Sequence, residues 1–156
     1  MDDTEHFYLA MNPSEKSSSG TWLQTLHLKT SRRTELLNIT AEVNRCLSAS
    51  GVSKGICHLY VPHTTSGITI NEGEDPDVAS DIETAFDRMV PRDATYKHAE
   101  GNSDSHIKAA LVGASQSIMI EGGRLQLGRW QAIFFCEFDG PRNREVLVKL
   151  RHDVGV

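Results

Sequence analysis

A chain of 156 residues with 38% hydrophobic residues and a net charge of −5 is one domain long, enough to bury a core. No apolar run reaches the roughly 18 to 20 residues of a membrane span, and the acids around the first apolar stretch are unlike a signal peptide, so a cytoplasmic protein is expected. The negative total disfavours a nucleic-acid partner, which needs a basic face, and three cysteines without close pairing (Cys46, Cys57, Cys136) argue against a disulfide framework or a zinc ribbon.

Residues 1 to 20 end in the polar tract "NPSEKSSSG" and are expected to form a mobile arm, leaving 21 to 156 as a single domain. In "TWLQTLHLKT" Trp22, Leu26 and Leu28 share one parity, which predicts a strand with His27 facing solvent. Leu36, Ile39, Val43, Cys46 and Leu47 recur at helical spacing and stop at Gly51, which predicts a first helix. "GICHLYV" and "GITIN" read as strands joined through Pro62. Asp75 before Pro76 marks the start of a second helix, whose stripe Val78, Ile82, Ala85, Phe86 and Met89 runs to Pro91. A short third helix begins near Ser105 with Ile107, Ala110 and Leu111 inward, and the tail is three β-rich runs separated by "EGG" and "DGPRN". Strands and helices do not alternate regularly, so the expected fold is α+β: a mostly antiparallel sheet or sandwich with two or three helices.

Three stretches could carry chemistry. In "VPHTTSG", strand parity puts His63 at the rim of the buried face beside Thr64 and Thr65, a pocket wall or a capped turn. "NEGEDPD" places Asn71, Glu72 and Asp75 at a strand-to-helix junction, where acids serve as caps or hold a hard cation. "YKHAEGNSDSH" sets His98 and His106 eight residues apart across Glu100, Gly101 and Asn102, and a turn at Gly101 would bring the rings together. Two imidazoles can bind a divalent ion such as zinc, with His63 as the natural third ligand; an ordinary polar loop accounts for the same letters. From Arg124 to Arg151 six basic side chains face three acidic ones, an excess suited to a small anion or to a solvated strand surface.

Together, "HTTSGITINEGEDPDVASDIE", "YKHAEGNSDSHIKAALVG" and "GRWQAIFFCEFDGPRNREVLVKL" resemble the YjbQ-like family, described as secondary thiamine-phosphate synthases; the likeness covers about residues 21 to 150. The resemblance implies a homotrimeric α+β protein with a histidine-lined pocket associated with a divalent metal ion. Its ligands would be His63, His98 and His106, with Thr64, Thr65, Asn71, Glu72, Asp75, Glu100, Asn102, Gln131 and Arg144 around the substrate, a small phosphorylated metabolite. Gly128, Trp130 and Glu137 also match the family, whereas Ala132 stands where glycine is common. The implied reaction joins a pyrimidine methyl pyrophosphate to a thiazole phosphate. Arg144, Arg142 and Arg129 are candidate phosphate contacts and Trp130 a ring-stacking wall. The alternatives are a non-catalytic trimeric binding module and a metal-dependent hydrolase with Glu100 or Glu72 as base.

Overall fold

The structure is a computed structural model that describes Phe7–Tyr8 and residues 20–153. Two antiparallel sheets form a sandwich. The larger has the order β1-β2-β9-β4-β6-β7 and comprises β1 (Phe7–Tyr8), β2 (Thr21–Lys29), β9 (Asn143–His152), β4 (Gly55–Tyr60), β6 (Ser115–Glu121) and β7 (Arg124–Leu125). The smaller has the order β3-β8-β5, from β3 (Glu35–Asn38), β8 (Gln131–Glu137) and β5 (Ser66–Glu72). The helices are α1 (Thr40–Ser50), α2 (Pro76–Met89) and α3 (Ser103–Val112). Of the arm expected over residues 1 to 20, Phe7–Tyr8 pair with Leu28 and His27 of β2, and residues 1–6 and 9–19 lie outside the described residues.

Period-two burial explains the main core. Trp22, Leu26 and Leu28 of β2, Cys57 and Leu59 of β4, and Val146, Val148 and Leu150 of β9 point into the sandwich. There they meet Ile68, Ile133 and Phe135 of the smaller sheet and Val43, Cys46 and Leu47 of α1. At about 1.5–3 kcal/mol per large side chain removed from water, this layer dominates stability. Strand β8 is buried on both faces, and its alternate residues Phe134 and Cys136, with Phe138 beyond its end, meet α2 and α3 through Ile82, Phe86 and Ala109.

Two expectations change. The helix predicted from Leu36 onward is split, because Leu36 and Leu37 face opposite layers, Leu36 toward α2 and Leu37 toward the main core. That alternation, with pairing to Cys136 and Phe135, makes β3 a strand, and the helix starts only at Thr40. In α3 the inward face is polar: Asp104, Ser105, Lys108 and Ala109 are buried, whereas Ile107 and Leu111 are 40% and 62% exposed. The reason is ionic. Lys108 Nζ lies 2.6 Å from Asp87 and 3.4 Å from Asp104, Arg33 donates to Asp104 at 2.9 Å, and Ser105 Oγ donates to the carbonyl of Phe138. Helix α2 starts as predicted, with the Asp75 side chain accepting from the Asp77 amide at 3.0 Å, yet none of its residues is fully buried. Gly140, on the link that crosses from β8 to β9, is held against the Arg32 carbonyl, where an added Cβ would sit 2.1 Å from that oxygen.

All three cysteines are free and buried, and burial pushes Cys46 up to about 11 and Cys57 and Cys136 up to about 12. Thiolate is the reactive form. The folded protein is therefore expected to give no reaction with a disulfide reagent such as DTNB, and all three thiols should react once it is unfolded in denaturant; rapid labelling of the native protein would contradict the burial.

Candidate functional site

One end of the sandwich is closed by charge instead of hydrocarbon. Glu137 continues the core-facing row of Ile133 and Phe135, and Arg144 continues that of Val146 and Val148, so the two meet between the sheets at 0% and 6% exposure. The contact is bidentate: Arg144 Nε donates to Glu137 Oε2 at 2.8 Å and Nη2 to Oε1 at 2.6 Å. Thr65 Oγ1 accepts from Nη2 at 2.7 Å, Thr30 donates to Glu137 Oε2 at 3.0 Å, and the amides of Phe138 and Asp139 donate to Oε1, both at 3.0 Å. Every carboxylate lone pair is thus employed, the condition under which a buried ion pair is tolerable. Nη1 of Arg144 has no hydrogen-bond partner among the described residues.

His63 sits beside this pair, where β4 has ended. Strand β4 pairs with β9 only as far as Tyr60 and Leu147, and the imidazole takes over one rung, its Nε2 accepting from the Glu145 amide at 2.9 Å. An acceptor at Nε2 leaves the proton of the neutral ring on Nδ1. Burial, and then the Arg144 charge, push the His63 pKa below its ordinary 6.5, so the neutral ring is the resident form. His63 and Arg144 line a cavity of about 790 Å³ with His27, Lys29, Asn143 and Glu145. His27 is half-buried there, and its Nδ1 lies 3.5 Å from the Glu145 carboxylate. Sequence reasoning turned His27 toward solvent, off the core face, and did not count it, Lys29 or Glu145 among the site residues. The register of β2 on β9, which sets His27 opposite Glu145 and Lys29 opposite Asn143, brings them in, and that pairing is not visible in either strand alone.

His98 and His106 do come together, with ring centroids 5.5 Å apart and planes at 82°. The turn at Gly101 adopts the left-handed φ of +72° that glycine permits. Two imidazoles on one tetrahedral ion, with nitrogens about 2.0–2.1 Å from it, have ring centres roughly 5 Å apart, a spacing close to the one seen here. It lies on the surface of α3 in a shallow cavity with Tyr96, Lys97, Ser103 and Ile107, and Glu100 is 3.7 Å from His98 Nε2. His63 lines the other cavity, and among the described residues no three His, Cys, Asp or Glu side chains are grouped to hold a metal.

The remaining candidates divide. Asn102 precedes α3 and donates to Asp139 at 3.0 Å, which also receives Arg33 at 3.1 Å and Arg142 at 2.8 Å. Burial raises the Asp139 pKa, but these hydrogen bonds and charges outweigh it and hold the carboxyl below its ordinary value. Arg142 is engaged with Asp139 and Arg129 lies over the Trp130 ring at 4.7 Å, and neither lines the Arg144–His63 cavity. Glu72 and Asp75 line a separate groove at the start of α2, where Glu72 Oε1 accepts from the Glu74 amide at 2.8 Å. Asn71 accepts from the Glu72 amide, Gln131 closes a turn by accepting from the Gly128 amide, and Thr64 is exposed. The methyl of Ala132 packs on Gly73, where an added Cβ would come within 2.3 Å of it, so the departure from glycine does not narrow either cavity.

Comparison with known proteins gives one consistent relationship. The family model described as UPF0047 protein YjbQ-like matches residues 24–153. YugU of Bacillus subtilis, a UPF0047 protein, is 49% identical over 82% of this chain and 98% of its own length. A UPF0047 protein of Methanocaldococcus jannaschii is 52% identical over 81% of this chain and 91% of its own. Among solved structures, a YjbQ/UPF0047 protein of Clostridium acetobutylicum superposes with a TM-score of 0.79 at 52% identity, covering 81% of this chain and 98% of that one. A YbjQ-like protein of unknown function from Sulfolobus solfataricus reaches 0.82 at 31% identity, over 85% and 98% of the two chains.

Two outcomes follow from the geometry. Glu137→Gln keeps the shape but strands the Arg144 charge, and should cost about 3–5 kcal/mol in denaturant unfolding; a loss below about 1 kcal/mol, no more than a surface pair is worth, would show that the pair is not buried in solution. Because the folded state depresses the His63 pKa, the unfolded chain takes up the proton first. The contribution of His63 is present above its ordinary 6.5 and is lost as pH falls from there toward the depressed value. His63→Gln, which can still accept from the Glu145 amide, should flatten stability against pH in that window, and an unchanged slope would refute the assignment.

Proposed function

The chain belongs to the YjbQ-like UPF0047 family, and from that premise we propose that it binds a small phosphorylated metabolite at the Arg144–His63 cavity and a divalent metal ion, such as zinc, at His98 and His106. The observation that carries the reading is the cavity itself, lined by His63, Arg144 and Lys29, whose Nδ1 proton, Nη1 group and ammonium are not used up by the fold among the described residues. Three donors in a half-enclosed site suit a phosphate group.

Histidines 98 and 106 would hold the ion, which supplies charge neutralisation for a phosphorylated substrate. The exposed Ile107, Leu111 and Met89 around α2 and α3 favour a homo-oligomer, a trimer in the finer reading. In it the His98–His106 surface of one copy lies against the His63 cavity of another and completes the site. The reaction this arrangement suits is transfer of a pyrimidinylmethyl group: the thiazole ring nitrogen bonds its methylene carbon as the bond from that carbon to the pyrophosphate oxygen breaks and pyrophosphate leaves, with the protein binding and orienting both rings. A second reading, hydrolysis, is favoured by Glu100, which is open to solvent beside His98 and placed to take a proton from water.

The test is metal content and turnover on the same preparations. Near-stoichiometric metal in the parent and its loss in His98→Ala and His106→Ala are expected, with thiamine phosphate formed by the parent and reduced about tenfold or more in both variants. Metal retained by both variants would sink the histidine assignment. A metal-loaded parent that makes no product, yet is stabilised by roughly 2.7 kcal/mol with thiazole phosphate at a hundredfold its Kd, would replace the transferase with a binding module.

A further inference from the structure

We propose that the Arg144–His63 cavity is selective for a single oxyanion group, of the kind carried by a monophosphate ester or a carboxylate, and rejects free pyrophosphate. The inference deepens the phosphorylated-metabolite reading and rests on it.

The argument is one of charge and donor count. Arg144 is the only guanidinium in the lining, and its charge is already balanced by Glu137, with Nε and Nη2 both committed to that carboxylate and Nη2 also to Thr65. Lys29 adds a positive charge, and Glu145 on the same wall cancels it. His63 enters as a neutral ring, since Nε2 is occupied by a main-chain amide, and His27 faces the Glu145 carboxylate at 3.5 Å. With Glu137 counted behind Arg144, two cations and two carboxylates leave the cavity and its immediate backing with no net positive charge, yet the lining offers several N–H donors.

Such a site can satisfy the oxygens of one phosphate or carboxylate by hydrogen bonds, which need no surplus charge. A more highly charged pyrophosphate would instead lose much of its hydration beside the Glu145 carboxylate, a desolvation loss that the single uncommitted cation, Lys29, repays only in part. A volume of about 790 Å³ leaves room for an organic group behind a single phosphate. Of the two substrates of the proposed transfer, the thiazole monophosphate is the one that fits here.

The full chain, kept metal-free with a chelator, would be titrated with methyl phosphate, acetate and inorganic pyrophosphate while nitrogen-15 NMR follows the His63 ring and the Glu145 amide. Methyl phosphate or acetate should shift both signals saturably, and pyrophosphate should bind about tenfold more weakly than the better of them. Glu145→Gln removes one negative charge from an exposed side chain, without touching the amide bonded to His63, and should narrow that gap severalfold. Metal-free pyrophosphate binding as tightly as methyl phosphate, or a gap that Glu145→Gln leaves unchanged, would overturn the selectivity while leaving oxyanion binding intact. If none of the three probes shifts either signal, both the selectivity and the underlying oxyanion reading fall.

Discussion

The buried pair between Glu137 and Arg144 is the constraint on which the site depends. Two sheets packed face to face ordinarily close their ends with hydrocarbon or leave them to loops, whereas here the inward rows of β8 and β9 terminate in opposite charges. Removing a carboxylate and a guanidinium from water is costly, and hydrophobic residues of similar volume would stabilise the end at least as well. What the charges add is direction. The carboxylate gathers Thr30, two main-chain amides and the guanidinium into one geometry, which fixes where the β8–β9 link leaves the smaller sheet and where the remaining guanidinium nitrogen points.

The same link carries order to the histidine pair. Asp139, two residues beyond Glu137, binds Asn102 at the start of α3, and Arg33 spans Asp139 and Asp104. Helix α3 is therefore seated by its polar face and presents its apolar one, the reverse of the usual surface helix. Ion pairs hold it to its own chain, which leaves Ile107 and Leu111 beside His106 for something other than the core.

Local chemistry was legible and distant partnership was not. The parity of Trp22, Leu26 and Leu28, the capping of α2 by Asp75 and the placement of His63 at a core rim all follow from neighbours within a few residues. The strand at Glu35–Asn38 was hidden because Leu36 and Ile39 are three apart, a helical interval, and only pairing with β8 decides otherwise. The inward face of α3 was misjudged because Arg33, about seventy residues earlier in the chain, rewards buried carboxylates that hydropathy alone would place outside. Arg144 was marked for its fork geometry, but that Glu137 already fills the fork is a fact of two strands in different sheets. Three histidines in sequence order suggested one site, and the fold brings two together while making the third a rung of a ladder.

That rung changes how the residue behaves. A side chain on a loop must surrender its rotamers when a ligand arrives, and the entropy lost is subtracted from affinity. The ring of His63 has already surrendered them, because the main chain of β9 grips it as though it were one more residue of β4. Its ordering is settled when the sandwich folds, well before any ligand appears. The cavity wall is accordingly as stiff as the sheet it belongs to, and a guest meets a donor whose direction it cannot alter.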